Sequence, residues 1–324
     1  MKIKLLFFVF ALFIMGCSEK SPDKLIWDMP TPYAESVFHT QNIKQFAADV
    51  ERLTEGDLII RIHPDASLYK HPEIKYAVRN GQVPLGEILM SLLGNDHAIY
   101  QIDSLPLLAT NYEQARKLWQ VSRQETEELL AKDNLILLFA VPWPPQGLYI
   151  KKEISSLEDM RGLKIRVYNA MLSRLVELMG SDPTTVQTPE IQQAFSTGII
   201  DAMITSASTG ASSQVWDYIG YYYDIQAWIP KNMVIANKEV FESLPKNLQQ
   251  GILQAAAEAE KRGWEMSEQE TIVKTQELLD HHVQVLQPSP AFSEGLQAIR
   301  KKMLTEWAQE AGMHGEKILK AFEK

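Results

Sequence analysis

The stretch LIWDMPTPYAESVFHTQNIKQFAADVERLTEGDLIIRI, residues 25–62, decides the fold. Its two ends, Leu25-Ile26-Trp27 and Leu58-Ile59-Ile60-Arg61-Ile62, are short apolar runs of the strand type. Between them, past the turn Pro30-Thr31-Pro32, Ile43, Phe46, Ala47, Val50 and Leu53 recur at helical spacing and Gly56 closes the helix. A strand, an amphipathic helix and a second strand assemble most naturally as a βαβ unit, the strands parallel and the helix laid over them.

The alternation continues along the chain. Residues 74–79 and 113–131 have helical spacing, 134–141 read as a buried strand, and 85–91 are apolar without a clear period. The run Pro142-Trp143-Pro144-Pro145-Gln146-Gly147 then stops any helix and fixes the backbone at three prolines, which makes it a corner. A second α/β set follows: strands at 163–167, 199–204 and 233–236, helices at 170–179 and 189–196. One or two long helices run from Pro245 to about His282, and a last one, broken near Gly312, covers 292–322. Strand-like crossings near 142–150 and 228–236 would join two lobes that close on a ligand by hinge motion.

Composition bounds the function. The 324 residues suffice for two α/β lobes, and 45% hydrophobic with 23% charged residues is ordinary for a globular protein. Lys+Arg is 32 against Asp+Glu 41, a net charge of −9, and no clustered basic surface speaks for a nucleic-acid partner. The nucleophile-elbow, zincin, P-loop and dinucleotide signatures are all absent from the sequence. None of the seven histidines stands four residues from another, and His281-His282 point about 100° apart on a helix, a poor metal pair. We therefore expect no enzyme activity, no metal and no cofactor. A carboxylate dyad in an extracytoplasmic enzyme acting on an organic acid stays as the alternative of a different class.

The chain starts with Lys2 and Lys4, an apolar core from Leu5 to Ile14, and then Ile14-Met15-Gly16-Cys17. The core is too short to span a bilayer, which takes about 20 apolar residues. The run before Cys17, the sole cysteine, resembles the bacterial lipobox. The expectation is a lipoprotein signal peptide (1–16), lipidation of Cys17, a tether (17–24), and a periplasmic protein held to a bacterial membrane by its lipid. Removing two lysines and no acids takes the net charge to −11.

From residue 156 the sequence becomes recognisable. Ser156-Leu157-Glu158-Asp159-Met160-Arg161-Gly162-Leu163-Lys164-Ile165-Arg166-Val167 resembles the D-L-x-G-x-K-[IL]-R motif of TRAP-type solute-binding proteins, the C4-dicarboxylate-binding family. The run from Pro189 through Phe195 and Gly198 to Asp201-Ala202 is similar to the family's E-x-x-x-A-[LF]-x-x-G-x-[IV]-D-[AG] segment. Asp103-Ser104-Leu105-Pro106, and Asn237-Lys238 with Phe241 and Leu244-Pro245, agree in order and spacing. The resemblance implies an α/β, two-lobed periplasmic binding protein of type II-like form, with a hinge and an interlobe ligand cleft. Lobe I would comprise 25–145 plus about 232–272, and lobe II 146–231 plus about 273–324.

It also implies a mechanism. The arginine of the K-x-R motif, here Arg166, would clamp a substrate carboxylate, and the chain would hand a small organic acid anion to the integral membrane subunits of a TRAP transporter. A guanidinium suits that role, because its planar fork pairs both carboxylate oxygens and keeps its charge when buried. Where many dicarboxylate and sialic acid members carry a further arginine, this chain has Gln146. Where they carry Q-E-N-P, it has Thr205-Ser206-Ala207-Ser208. Amides and hydroxyls do not neutralise a second carboxylate, so a monocarboxylate such as a 2-oxo, 2-hydroxy or aromatic acid is expected over a C4-dicarboxylate. Phe38, Trp143, Tyr168 and Trp228 fall in segments that line the site in relatives, and Glu87 is a further polar candidate; each could equally be core.

Overall fold

The computed structural model describes residues 24–324. The expected signal peptide, the lipidation site Cys17 and the tether up to its last residue lie outside the described residues.

The opening unit is the expected βαβ. Strand β1 (Leu25–Pro30) runs parallel to β2 (Leu58–His63), pairing Leu25 with Leu58 and Pro30 with His63, and α1 (Phe38–Leu53) connects them. Ile43, Phe46 and Val50 form the buried stripe of α1, which packing holds in place, since Val37 at its start supplies no side-chain cap. Next come α2 (Ile74–Arg79), β3 (Leu85–Leu89), α3 (Tyr112–Lys132) and β4 (Leu135–Pro142). The apolar segment at 85–91, of undecided type by sequence, is therefore a strand, and all five residues of β3 are buried.

Beyond the proline corner lies a six-stranded sheet. Its elements are β5 (Gln146–Ile150), β6 (Lys164–Val167), α4 (Ala170–Leu178), β7 (Asp182–Thr185), α5 (Ile191–Ser196), β8 (Ala202–Ser206), α6 (Ala207–Ser212) and β9 (Tyr221–Tyr223). The chain then returns as β10 (Lys231–Asn237), inserted antiparallel between β3 and β4. After α7 (Lys238–Glu242) and α8 (Lys246–Asp280), β11 (Gln284–Leu286) completes the second sheet in the order β11-β9-β5-β8-β6-β7, and α9 (Pro290–Phe322) ends the fold.

The two crossings run side by side. Trp143 N–H donates to Pro230 O at 2.8 Å, Gln146 N–H to Trp228 O at 3.0 Å, and Ala227 N–H to Gln146 O at 2.9 Å. The two long helices contact elements on both sides of the crossings. Helix α8, about 52 Å long at 1.5 Å per residue, first packs on α1 and β4, where the Trp264 indole donates to Ala140 O at 3.1 Å. Farther on, Ser208 donates to its Glu270 at 2.7 Å, and Leu278 joins the core of Tyr149, Tyr222 and Val283. Helix α9 breaks at Gly312, whose φ of +58° with ψ of −146° leaves helical space.

Sequence periodicity misses β7, β9 and β11, which have only three or four residues each. It also starts the strand of 199–204 too early. Ile199 is half exposed beyond the Gly198 turn, and Asp201 turns its carboxylate to the Lys164 N–H at 3.0 Å, so the strand begins at Ala202.

Candidate ligand-binding site

A cavity with about 430 Å³ of empty space, partly open to solvent, lies where the crossings meet the three-stranded β3-β10-β4 sheet and the six-stranded sheet. Tyr33, His71, Leu89, Leu92 and Trp143 line it from the side of β1, β3 and β4. Arg166, Tyr168, Thr188 and Thr209 line it from the six-stranded sheet, and Gln146 and Pro230 from the crossings.

Arg166 stands on β6, which pairs with β7 on one side and β8 on the other. Without the family motif it would read as an exposed edge residue, yet it is 3% exposed. Its Nε donates to Val186 O at 3.0 Å and Nη2 to Thr188 Oγ1 at 3.4 Å, which leaves Nη1 without a partner among the described residues. The Tyr168 ring centre lies 5.0 Å from the guanidinium carbon. No carboxylate among the described residues comes within ion-pair distance of it, and burial pulls its pKa down to about 10, with the Tyr168 and Tyr33 hydroxyls pulling the other way. Among the described residues, Arg166 is also the one permanent charge in the cavity wall. A buried guanidinium with a free N–H and no counter-ion among the described residues has the chemistry to accept one anion.

Gln146 and Tyr168 meet across the sheet. The Tyr168 hydroxyl donates to Gln146 Oε1 at 3.2 Å, and Gln146 Nε2 donates to Pro144 O at 2.8 Å. Trp143 turns its indole N–H to Asn232 Oδ1 at 2.9 Å, and Tyr33 donates to the same oxygen at 3.2 Å. Ser206 reaches the cavity wall, but its hydroxyl is committed to Thr209, accepting from the backbone N–H at 3.1 Å and lying 3.2 Å from Oγ1.

Three sequence candidates do not line the cavity. Phe38 packs behind Trp143, ring centres 5.5 Å apart, at the buried start of α1. Glu87 lies one layer deeper than expected, because its strand β3 is covered on both faces. It accepts from Thr31 Oγ1 at 2.5 Å and Asn232 Nδ2 at 2.7 Å, with His39 Nδ1 3.4 Å away. Trp228 is 1% exposed, and its buried indole N–H has no hydrogen-bond partner among the described residues. Sequence reasoning in turn missed Tyr33, His71, Thr188 and Thr209. The sole signal for Tyr33 was its place in the turn directly after the first strand.

This is the architecture of a two-lobed extracytoplasmic solute-binding protein with its ligand cavity between the lobes. Residues 32–311 match the model of bacterial extracellular solute-binding protein family 7, the DctP family of TRAP transporter receptors, and the chain belongs to that family. Among solved structures it resembles DctP7 of Bordetella pertussis, an extracytoplasmic solute receptor binding pyroglutamic acid, at 43% identity and a TM-score of 0.91, with 92% of this chain and 99% of that one covered. A marine metagenome TRAP solute-binding protein specific for pyroglutamate, solved with the co-purified acid, is 37% identical at a TM-score of 0.91, over 93% and 99% of the two chains. The C4-dicarboxylate-binding periplasmic protein of Rhodobacter capsulatus is 23% identical over 231 residues, 66% of each chain. No helix among the described residues is long and apolar enough to cross a membrane.

Proposed function

We propose that this protein is the extracytoplasmic receptor of a TRAP transporter for a small monocarboxylate of the pyroglutamate class, and that it binds this acid without transforming it. The observation that carries the reading is Arg166, a buried, singly charged centre with no counter-ion and no other permanent charge in the cavity wall among the described residues. One ligand carboxylate would satisfy it, accepting from Nη1 and Nη2 together. A second carboxylate in the same cavity would meet only amides, hydroxyls and aromatic rings and would lose several kcal/mol to desolvation. Two relatives at 37–43% identity that bind pyroglutamate support a five-membered lactam acid as first choice.

Calorimetric titration with pyroglutamate, succinate and malate tests the proposal. We expect pyroglutamate to bind and the diacids to bind far more weakly; succinate binding of equal strength would overturn the monocarboxylate reading. The bound acid should be recovered unchanged after long incubation, and a new product would restore the enzyme alternative.

The lipid tether belongs to the same proposal and rests on the sequence Ile14-Met15-Gly16-Cys17. Labelling with a clickable fatty acid in a bacterial host should mark the wild type and not Cys17→Ser. Label on both would remove Cys17 as the site.

A further inference from the structure

His71 begins the short turn His71–Glu73 ahead of α2 and lines the cavity that holds Arg166. The Leu89 backbone N–H donates to its Nε2 at 3.0 Å. A ring nitrogen that accepts carries no proton, so in the neutral ring the proton sits on Nδ1. Burial and the facing charge of Arg166 depress the His71 pKa to about 3, and the ring is therefore neutral at physiological pH. Nδ1 has no partner among the described residues, and it is not among their sealed, unpaired polar atoms as His39 Nε2 is. The ring is also held in place. It packs edge-on against Tyr33, centres 5.5 Å apart at 77°, and Tyr33 is tied through its hydroxyl to Asn232.

We propose that His71 Nδ1–H is the second recognition group of the site, donating a hydrogen bond to an uncharged oxygen of the ligand (a lactam or keto carbonyl, or a hydroxyl) while Arg166 holds its carboxylate. The inference rests on the monocarboxylate reading above and adds the ligand's second functional group. A fixed neutral donor selects in two directions. A ligand without the acceptor leaves a desolvated N–H unpaired, which a site built to hydrogen-bond penalises strongly. A ligand with a second carboxylate gains no counter-charge, because protonating His71 beside Arg166 is unfavourable.

The test compares two probes and two variants. Pyroglutamate carries the ring carbonyl; cyclopentanecarboxylate has the same ring size and carboxylate but no carbonyl or N–H. His71→Phe removes both the acceptor for Leu89 and the donor to the ligand. His71→Gln can keep both, with Oε1 accepting from Leu89 and Nε2 donating to the ligand. Circular dichroism and thermal unfolding of the unliganded proteins establish that each variant folds.

We expect wild type to prefer pyroglutamate over cyclopentanecarboxylate by at least tenfold. His71→Phe should weaken pyroglutamate by tenfold or more while changing cyclopentanecarboxylate less than threefold, and His71→Gln should restore most of the preference. Undiminished pyroglutamate binding by His71→Phe, or an equal loss for both probes, would overturn the proposal. If His71→Phe does not fold, His71→Gln and His71→Leu decide it by the same ratio. A wild type indifferent to pyroglutamate would overturn the ligand assignment alone. His71 would then be judged with whichever acid raises the melting temperature, paired with its analogue lacking the neutral oxygen.

Discussion

Lys231 and Asp103 form an ion pair inside the protein, Nζ 3.2 Å from Oδ2 with each side chain 1% exposed. The same carboxylate oxygen accepts the Lys231 backbone N–H at 2.8 Å, and the Trp119 ring faces the ammonium from 5.6 Å. Burial holds the Asp103 carboxyl above its usual range, with Lys231 pulling the other way. The pair fastens the first residue of β10, where the second crossing ends, to the turn Ala98–Ser104.

Removing one partner strands the other charge. Lys231→Met alone should cost about 3–5 kcal/mol of stability, whereas Lys231→Met with Asp103→Leu should recover much of the loss. Urea unfolding midpoints check this. Equal destabilisation in the single and double variants would mean that the hydrogen bond to the backbone, and not the charge pair, matters.

Arg166 should weaken the empty protein and make the loaded one. We expect Arg166→Met to leave the unliganded melting temperature unchanged or raised by a few degrees, since an unpaired buried charge is removed, and to abolish the ligand-induced shift. Arg166→Lys should keep the fold and lose roughly 2–4 kcal/mol of affinity, about 30- to 1,000-fold. Differential scanning fluorimetry and calorimetry read both. Affinity retained in Arg166→Lys would refute the bidentate clamp.

The neutral His71 makes stability depend on pH. Its folded pKa, about 3, lies below the unfolded value of 6.5, so the unfolded chain binds the extra proton. Its contribution is therefore present above pH 6.5 and declines as pH falls toward 3, by up to ~1.4 kcal/mol per pH unit. Between pH 7.5 and 5 the unliganded wild type should lose more stability than His71→Gln in parallel urea titrations. Identical slopes would contradict a ring held neutral in the folded protein.

Gly147 on β5 is a packing requirement. A Cβ there would lie 2.2 Å from Tyr222 Cε2, inside a buried ring that has nowhere to turn. Gly147→Ala should cost about 1–3 kcal/mol and, being next to Gln146, weaken ligand binding as well. Trimming the ring in Gly147→Ala/Tyr222→Leu should relieve part of the clash. Thermal unfolding and calorimetry follow both effects, and an unaltered melting temperature in Gly147→Ala would speak against the close approach.

Local pattern carried much of the architecture. Period-3.6 stripes marked α1, α3 and α8, and the K-x-R motif led to Arg166 before any tertiary contact was known. Strand β7 escaped because Asp182-Pro183-Thr184-Thr185 has no apolar alternation. It forms at a sheet edge, where the missing N–H of Pro183 does no harm. Phe38, Glu87 and Trp228 fall in the expected neighbourhood but lie one layer deeper than the cavity wall where the sequence reading put them, since spacing gives the face of an element and not the depth of its neighbours. Nothing in the sequence marked His71, and Tyr33 had only its place after the first strand: their meeting with Arg166 is made by tertiary packing across more than 90 residues of chain.

The rod formed by α8 has a mechanical meaning. It is fastened to α1 and β4 near one end, to α6 and β11 near the other, and it has no break. Drawing the halves of the protein apart must then bend a continuous hydrogen-bonded helix, and elastic resistance grows steeply with the angle. Such a beam behaves as a leaf spring, and its stiffness sets the elastic cost of any gape between the jaws it joins.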